Sequence, residues 1–177
     1  MITINPRKES TKSLHQYLLS SIGPRPIALA STIDKNGCPN LSPFSYFNIF
    51  SSNPPILIFS PARRVRDNTT KDTLENAKEV KEVVINVVTY DIVDQMNITS
   101  LEYEKDVDEF VKASFTHLKS ELIKPFRVKE SPIQFECKIN EIISLGENGG
   151  AGNLIVSEIL LMHIDKNILD KSKNIDP

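Results

Sequence analysis

Hydrophobic and polar positions along the chain change period several times, and each change marks an element. "STKSLHQYLLSSI" places Leu14, Tyr17, Leu18 and Ile22 at helical spacing after a hydroxyl-rich start, and "GPRP" ends that helix. "IALASTI" then sets Ile27, Leu29, Ser31 and Ile33 against Ala28, Ala30 and Thr32, the alternation of a strand. "DKNG" at Asp34–Gly37 is a turn signal, with Gly37 free to take positive φ. "CPNLSPFSYFNIFSSNPP" reads as the return strand, and "PPILIFS" as a short buried one.

"KDTLENAKEV" predicts a helix with Asp72 as N-cap and Glu75 in capping-box position, followed by the strand "EVVINVV". "DIVDQMNITS" and "DVDEFVKAS" predict short helices. "SPIQFECKINEI" alternates most cleanly: Ile133, Phe135, Cys137 and Ile139 face one way, and Gln134, Glu136, Lys138 and Asn140 the other. "GENGGAG" holds four of the six glycines. Its spacing fits neither GxGxxG nor a P-loop, so it reads as a flexible hairpin. "NLIVSEILLMHI" is the last strand. Strands at short spacing with inserted helices predict a mainly β fold, an antiparallel barrel with peripheral helices, in one domain over residues 1–177.

Charge narrows the function. Lys+Arg 21 against Asp+Glu 23 leaves −2, unlike the basic surface that nucleic-acid binding requires. No apolar run reaches the roughly 20 residues of a membrane span, and no secretory h-region opens the chain. Cys38 and Cys137 make no CxxC pair, so a reduced cytoplasmic protein is expected. The 3 His and 2 Cys show no metal-ligand spacing. His15 and His117 have no carboxylate partner visible in the sequence, His163 reads as a packed strand histidine, and no catalytic residue is assigned.

Two segments carry candidate chemistry. "PARRVRDNTTKDT" bears Arg63, Arg64, Arg66 and Lys71 and leads into a helix N-terminus, where free N–H groups and the dipole favour an anion. It reads either as a phosphate site, with Thr73 as a hydroxyl donor, or as a solvated basic loop before an ordinary helix. The return strand carries Pro43, which removes a ladder donor and marks an edge or a bulge. Its hydroxyls (Ser42, Ser45) and aromatics (Phe44, Tyr46, Phe47) make either a wall for a flat ligand or plain core filling.

In combination, "GPRPIALASTIDKNGCPNLSPFSYFN", "NPPILIFS", "KDTLENAKEV" with "EVVINVV", and "SPIQFECKINEI" resemble the flavin reductase-like (flavoredoxin-like) family in order and separation, from about Gly23 to Ile164. The resemblance implies the FMN-binding split-barrel fold. It implies FMN with its ring against Ser42, Pro43, Phe44 and Ser45, its ribityl-phosphate held by Ser60, Lys71, Asp72 and Thr73 with Arg63 as an outer partner, and Asn40 among the cofactor-binding residues. It further implies a homodimer, NADH or NADPH as electron donor, and free flavin or a protein as electron acceptor. A non-enzymatic FMN electron carrier and a barrel that has lost flavin are the alternatives. Two departures stand out: Cys38 where the family often has a basic or polar residue, and "KNIDP" where the family continues with a segment rich in Gly and Tyr.

Overall fold

The computed structural model describes residues 1–104 and 106–175, so the final Asp176 and Pro177 of "KNIDP" lie outside it. Seven strands form one sheet: β1 (Ala28–Ile33), β2 (Pro39–Phe44), β3 (Phe47–Ser52), β4 (Pro55–Phe59), β5 (Glu82–Val87), β8 (Ile133–Ser144) and β9 (Asn153–Ile164). A two-stranded ladder pairs β6 (His117–Leu118) with β7 (Arg127–Val128). The helices are α1 (Thr11–Ser21), α2 (Asp72–Val80), α3 (Val93–Thr99) and α4 (Glu109–Lys112).

The order across the sheet is β2-β1-β5-β8-β9-β4-β3, and every pairing is antiparallel. This order fixes the shape. β2 and β3 stand at opposite edges, yet only Ser45 and Tyr46 separate them in the chain. Three Cα steps reach at most about 11 Å. The sheet must therefore curl until its edges nearly meet, which makes a barrel with a split between β2 and β3.

The return strand expected over Cys38–Pro55 is thus two strands. Its alternation runs on unbroken, but the chain leaves one edge and joins the other at Ser45-Tyr46, so β2 pairs with β1 and β3 with β4. Pro43 sits in edge strand β2, opposite Leu29, where its missing N–H leaves no partner unpaired across the split. β3 carries a bulge between Ile49 and Ser51 and leaves Ile49 and Phe50 exposed.

β1 is buried on both faces. Ala28 and Ala30 join Phe44, Phe59, Leu74, Ile85, Phe135 and Ile155 in one core; Leu29 joins Leu41, Met96, Phe110, Phe115 and Val128 in a second, outer one. The small alanines let α2 lie close on the first face. α1 contributes no buried residue and leaves Tyr17, Leu18 and Ile22 exposed.

Alternation also mispredicts β8. Gln134 and Glu136, on its polar side, are buried rather than solvated, with Glu136 at 0% exposure. A bulge between Glu136 and Cys137 re-aims the strand, and the 121–122 turn folds over it. The Glu136 carboxylate accepts the N–H groups of Glu121 (2.8 Å) and Leu122 (2.7 Å) and lies 2.8 Å from His163 Nε2. Burial alone would raise this carboxyl; those bonds outweigh it and hold it below the usual glutamate range. Burial drives the Cys137 thiol up, so it is inert core.

Candidate functional site

Two cavities open beside β2 and the crossover that follows it, and they share a wall. The larger, about 670 Å³, runs between α1 (Leu14, His15, Leu18) and the crossover Pro43, Phe44, Ser45 and Tyr46. Ser60 and Arg63 also line it. The smaller, about 380 Å³, is polar and lined by Asn40, Ser42, Asp72, Thr73 and Glu109. Arg64, Val65, Arg66 and Lys71 border both. Every residue expected at a flavin site therefore lines one of two adjoining spaces, ring-wall residues mainly in the apolar one and helix-start residues in the polar one.

The basic loop owes its shape to the glycine-rich turn. The expected flexible hairpin is instead a docked one: Arg63 N–H donates to the Ala151 carbonyl and Gly150 N–H to the Arg63 carbonyl, both at 2.9 Å. Gly149 sits so close that a Cβ there would stand 2.9 Å from the Arg64 carbonyl oxygen. A Cβ at Gly152 would stand 2.6 Å from Ser60 Oγ. Only glycine permits that approach.

The loop's cations are not equivalent. Arg63 is turned onto Asn68, donating from Nε to Oδ1 (2.7 Å) and from a terminal nitrogen to the backbone oxygen (2.6 Å). Arg64 and Arg66 converge on Glu102 Oε1, at 3.1 and 2.5 Å. Lys71 differs: among the described residues no carboxylate oxygen lies within 4 Å of its ammonium, which stands 5.1 Å from the Phe44 ring centre. Burial, reinforced by the charge of Arg64, pushes Lys71 below the ordinary lysine range.

At the helix start the structure corrects one expectation. Lys71, not Asp72, is the N-cap residue, with extended dihedrals and no side-chain capping bond. The Asp-x-x-Glu pattern is displaced by one because Asp72 already has helical geometry as the first residue of α2. Asp72 and Glu75 remain in the first turn, where the dipole favours acids. The Leu74 N–H already donates to the Lys71 carbonyl at 2.9 Å, so the helix-start donors left for the polar cavity, which Asp72 and Thr73 line, are the N–H groups of those two residues.

On the wall of that cavity lies a half-buried polar chain that the sequence did not suggest. Thr73 Oγ1 donates to Asn40 Oδ1 at 2.8 Å. Asn40 Nδ2 donates to Glu109 Oε1 at 2.8 Å, and the Leu41 N–H donates to Glu109 Oε2 at 3.0 Å. Asn76 Nδ2 donates to Thr32 Oγ1 at 3.2 Å. Glu109 arrives from 69 residues away, and no local pattern links it to Asn40. Arg64 and Arg66 were legible as charges of the loop, though not as a pair bound to Glu102.

The histidines are accounted for. His117, contrary to expectation, has a carboxylate partner in Asp108 (3.0 Å) and stacks on Phe110. His15 meets the Tyr46 hydroxyl at 3.3 Å across the larger cavity. Among the described residues no group of three or more His, Cys, Asp or Glu is placed to hold a metal ion, and no helix is long and apolar enough to cross a membrane.

Comparison with known proteins decides the family. Residues 20–173 match the model of the flavin reductase-like domain. The chain belongs to the flavin reductase-like family. A relative from Aquifex aeolicus, itself uncharacterized, is 37% identical over 164 residues, covering 93% of this chain and 81% of the relative. Component B of nitrilotriacetate monooxygenase from Bacillus cereus superposes with a TM-score of 0.92 at 32% identity, over 99% of this chain and 87% of that one. The 2-nitrobenzoate 2-nitroreductase of Pseudomonas fluorescens gives 0.86 at 25% identity, over 99% and 83%. Flavoredoxin of Desulfovibrio vulgaris shares the fold, with a TM-score of 0.73 at 20% identity over 88% and 78%. Family membership makes this chain an oxidoreductase of the flavin-linked kind.

Proposed function

We propose that the chain is an FMN-binding, NAD(P)H-dependent flavin reductase, with residues 1–177 acting as one flavin-binding domain. The observation that carries this reading is the position of Lys71: a partly buried cation without a carboxylate partner among the described residues, at the junction of an apolar and a polar cavity. FMN has the matching polarity, a flat ring at one end and a phosphate at the other.

In this reading Pro43, Phe44 and Ser45 wall the ring, and Ser42 with the exposed backbone of edge strand β2 meets its polar rim. Lys71 and the first N–H groups of α2 take the phosphate, with Asn40, Asp72 and Thr73 around them. Ser60 and Arg63 border the ribityl path. Bound flavin itself supplies the chemistry, accepting a hydride equivalent from NADH or NADPH and passing electrons to free flavin or a protein acceptor. The chain's part is to bind, orient and screen. The exposed apolar residues Ile49 and Phe50 beside the split support a homodimer. The unpaired cysteines, Cys38 exposed and Cys137 buried, suit a cytoplasmic setting.

Anaerobic titration of the FMN-loaded protein with NADH and with NADPH tests the reading. Bleaching of the bound flavin by one of them is expected. A flavin reduced by dithionite but by neither nicotinamide would make the chain an electron carrier, and a protein that takes up no FMN would end the proposal.

A further inference from the structure

The chain Glu109–Asn40–Thr73 ends at the polar cavity with its last hydroxyl pointed the wrong way for an anion. An ionised carboxylate can only accept, so Glu109 compels Asn40 to present its NH2 group to it, at 2.8 Å. The amide oxygen then faces Thr73, whose hydroxyl must donate to it, at 2.8 Å. A hydroxyl has one proton. With that proton committed to Asn40, Thr73 offers the cavity only lone pairs, which repel phosphate oxygens.

We propose that Glu109, Asn40 and Thr73 form a proton-coupled relay, so that binding of the FMN phosphate in the polar cavity is accompanied by uptake of a proton at Glu109. This rests on the phosphate assignment made above. The proton comes from solvent and no other bond changes. Once protonated, Glu109 Oε1 donates to the Asn40 amide oxygen, while Oε2 keeps the Leu41 N–H. The amide turns over and its NH2 group donates to Thr73 Oγ1. Thr73 keeps its proton and turns its hydroxyl to donate a hydrogen bond to a phosphate oxygen. Thr32 Oγ1, which donates to Asn40 Oδ1 over a long 3.4 Å contact and accepts from Asn76 Nδ2 at 3.2 Å, gives up the first contact as the amide turns and keeps the second.

The surroundings favour this exchange. Burial holds the Glu109 carboxyl above the usual glutamate range, against the lowering bonds from Leu41 and Asn40, and Asp108 adds to the rise. The charged groups around it are Arg64, Arg66, Lys71, Asp72 and Glu102 on the polar cavity, and Asp34 and Glu104 with the Cys38 thiol on the small crevice behind. An incoming phosphate adds negative charge to that set and stabilises the protonated carboxyl further. Affinity for FMN therefore falls as pH rises above the Glu109 pKa of the free protein, at most about tenfold per pH unit for one linked proton.

Calorimetric titration at pH 7.5 in two buffers of different ionisation enthalpy reads the proton count directly. A phosphate monoester with its second pKa near 6 is already mainly a dianion there. The wild-type chain is expected to take up protons with FMN and none with riboflavin. Glu109→Gln donates permanently to the Asn40 oxygen, so it should bind FMN at least as tightly as wild type, with that uptake abolished. Thr73→Val should abolish the uptake and keep riboflavin binding, which also reports that the variant is folded. No uptake in the wild type, or undiminished uptake in Glu109→Gln, which would assign the proton to Lys71, overturns the relay. Equal affinity of the wild type for FMN and riboflavin would instead overturn the phosphate assignment beneath it.

Discussion

The Lys71 ammonium stands 5.1 Å from the centre of the Phe44 ring, so the cation proposed to meet a phosphate leans on the wall proposed to meet the flavin ring. The contact joins the first residue before α2 to the last residue of β2. The ammonium itself is what faces the ring, and Lys71 borders both cavities.

Lys71→Ala should separate the two halves of the ligand. A hydrogen bond to a charged group is worth about 1.5–3 kcal/mol, or roughly ten- to a hundredfold in affinity. FMN binding should weaken by that factor and riboflavin binding far less, as read by flavin fluorescence titration. Equal losses for both flavins would return the basic loop to the status of solvated surface.

The same lysine sets an alkaline limit. Its folded-state pKa is depressed by burial and by Arg64, so it loses its proton earlier than a free lysine. A phosphate bound beside it stabilises the charged form. FMN affinity should therefore drop as pH rises toward the ordinary lysine range, while riboflavin affinity stays level. Lys71→Arg, which stays charged, should flatten that drop even if it binds less well.

Glu136 sets an acid limit on stability. Its folded-state pKa is lowered, so its contribution is present above the unfolded value and is lost as pH falls through the folded one. Thermal unfolding of the wild type should therefore weaken from about pH 5 downward, more steeply than that of Glu136→Gln. At neutral pH, Glu136→Ala strands two N–H donors and should cost roughly 3 kcal/mol. A Glu136→Gln protein with an unchanged acid slope would show that other carboxylates govern it.

Gly149→Ala probes the docking of the hairpin. Its new Cβ would stand 2.9 Å from both the Arg64 carbonyl oxygen and the Val65 Cα, backbone atoms that cannot swing aside. The basic loop must shift, and FMN affinity should fall several-fold although no proposed ligand has changed. Ala substitution at Gly23, which has open space around it, is the control and should have no effect.

Phe50→Glu and Ile49→Lys should favour the monomer. Both residues are exposed on β3, at 64% and 56%. Light scattering of the FMN-loaded protein at micromolar concentration is expected to give a dimer mass for wild type and a reduced one for the variants. A monomeric wild type contradicts the proposal.

How far the sequence carries is clearest residue by residue. Pro43 announced an edge or a bulge, because a missing N–H is a local property, and β2 is an edge strand. The break at Ser45 was hidden, since alternation continues through a crossover that exchanges one sheet edge for the other. The helix at 72–80 was legible from its start signals, Asp72 and Glu75, while its cap was misplaced by one residue, the resolution at which such patterns work. The site residues that the resemblance implies line two adjoining cavities. Glu109 and the pairing of Arg64 and Arg66 with Glu102 were not legible, because they depend on chain segments brought together only by the fold. Glu136 looked outward by period and is buried because a bulge and a turn override the period.

The two-residue crossover at Ser45-Tyr46 has a mechanical meaning. Going round the barrel from β2 to β3, six hydrogen-bonded spacings separate the lips of the split, and the short link fixes how far apart those lips can stand. Any change of twist or spacing between two strands, even on the far side at β5 and β8, must be absorbed where no hydrogen bonds resist it. The split is thus where the sheet can yield: a volume change at buried Ile139, which lines neither cavity, is expected to be felt as a change in the spacing of its two lips.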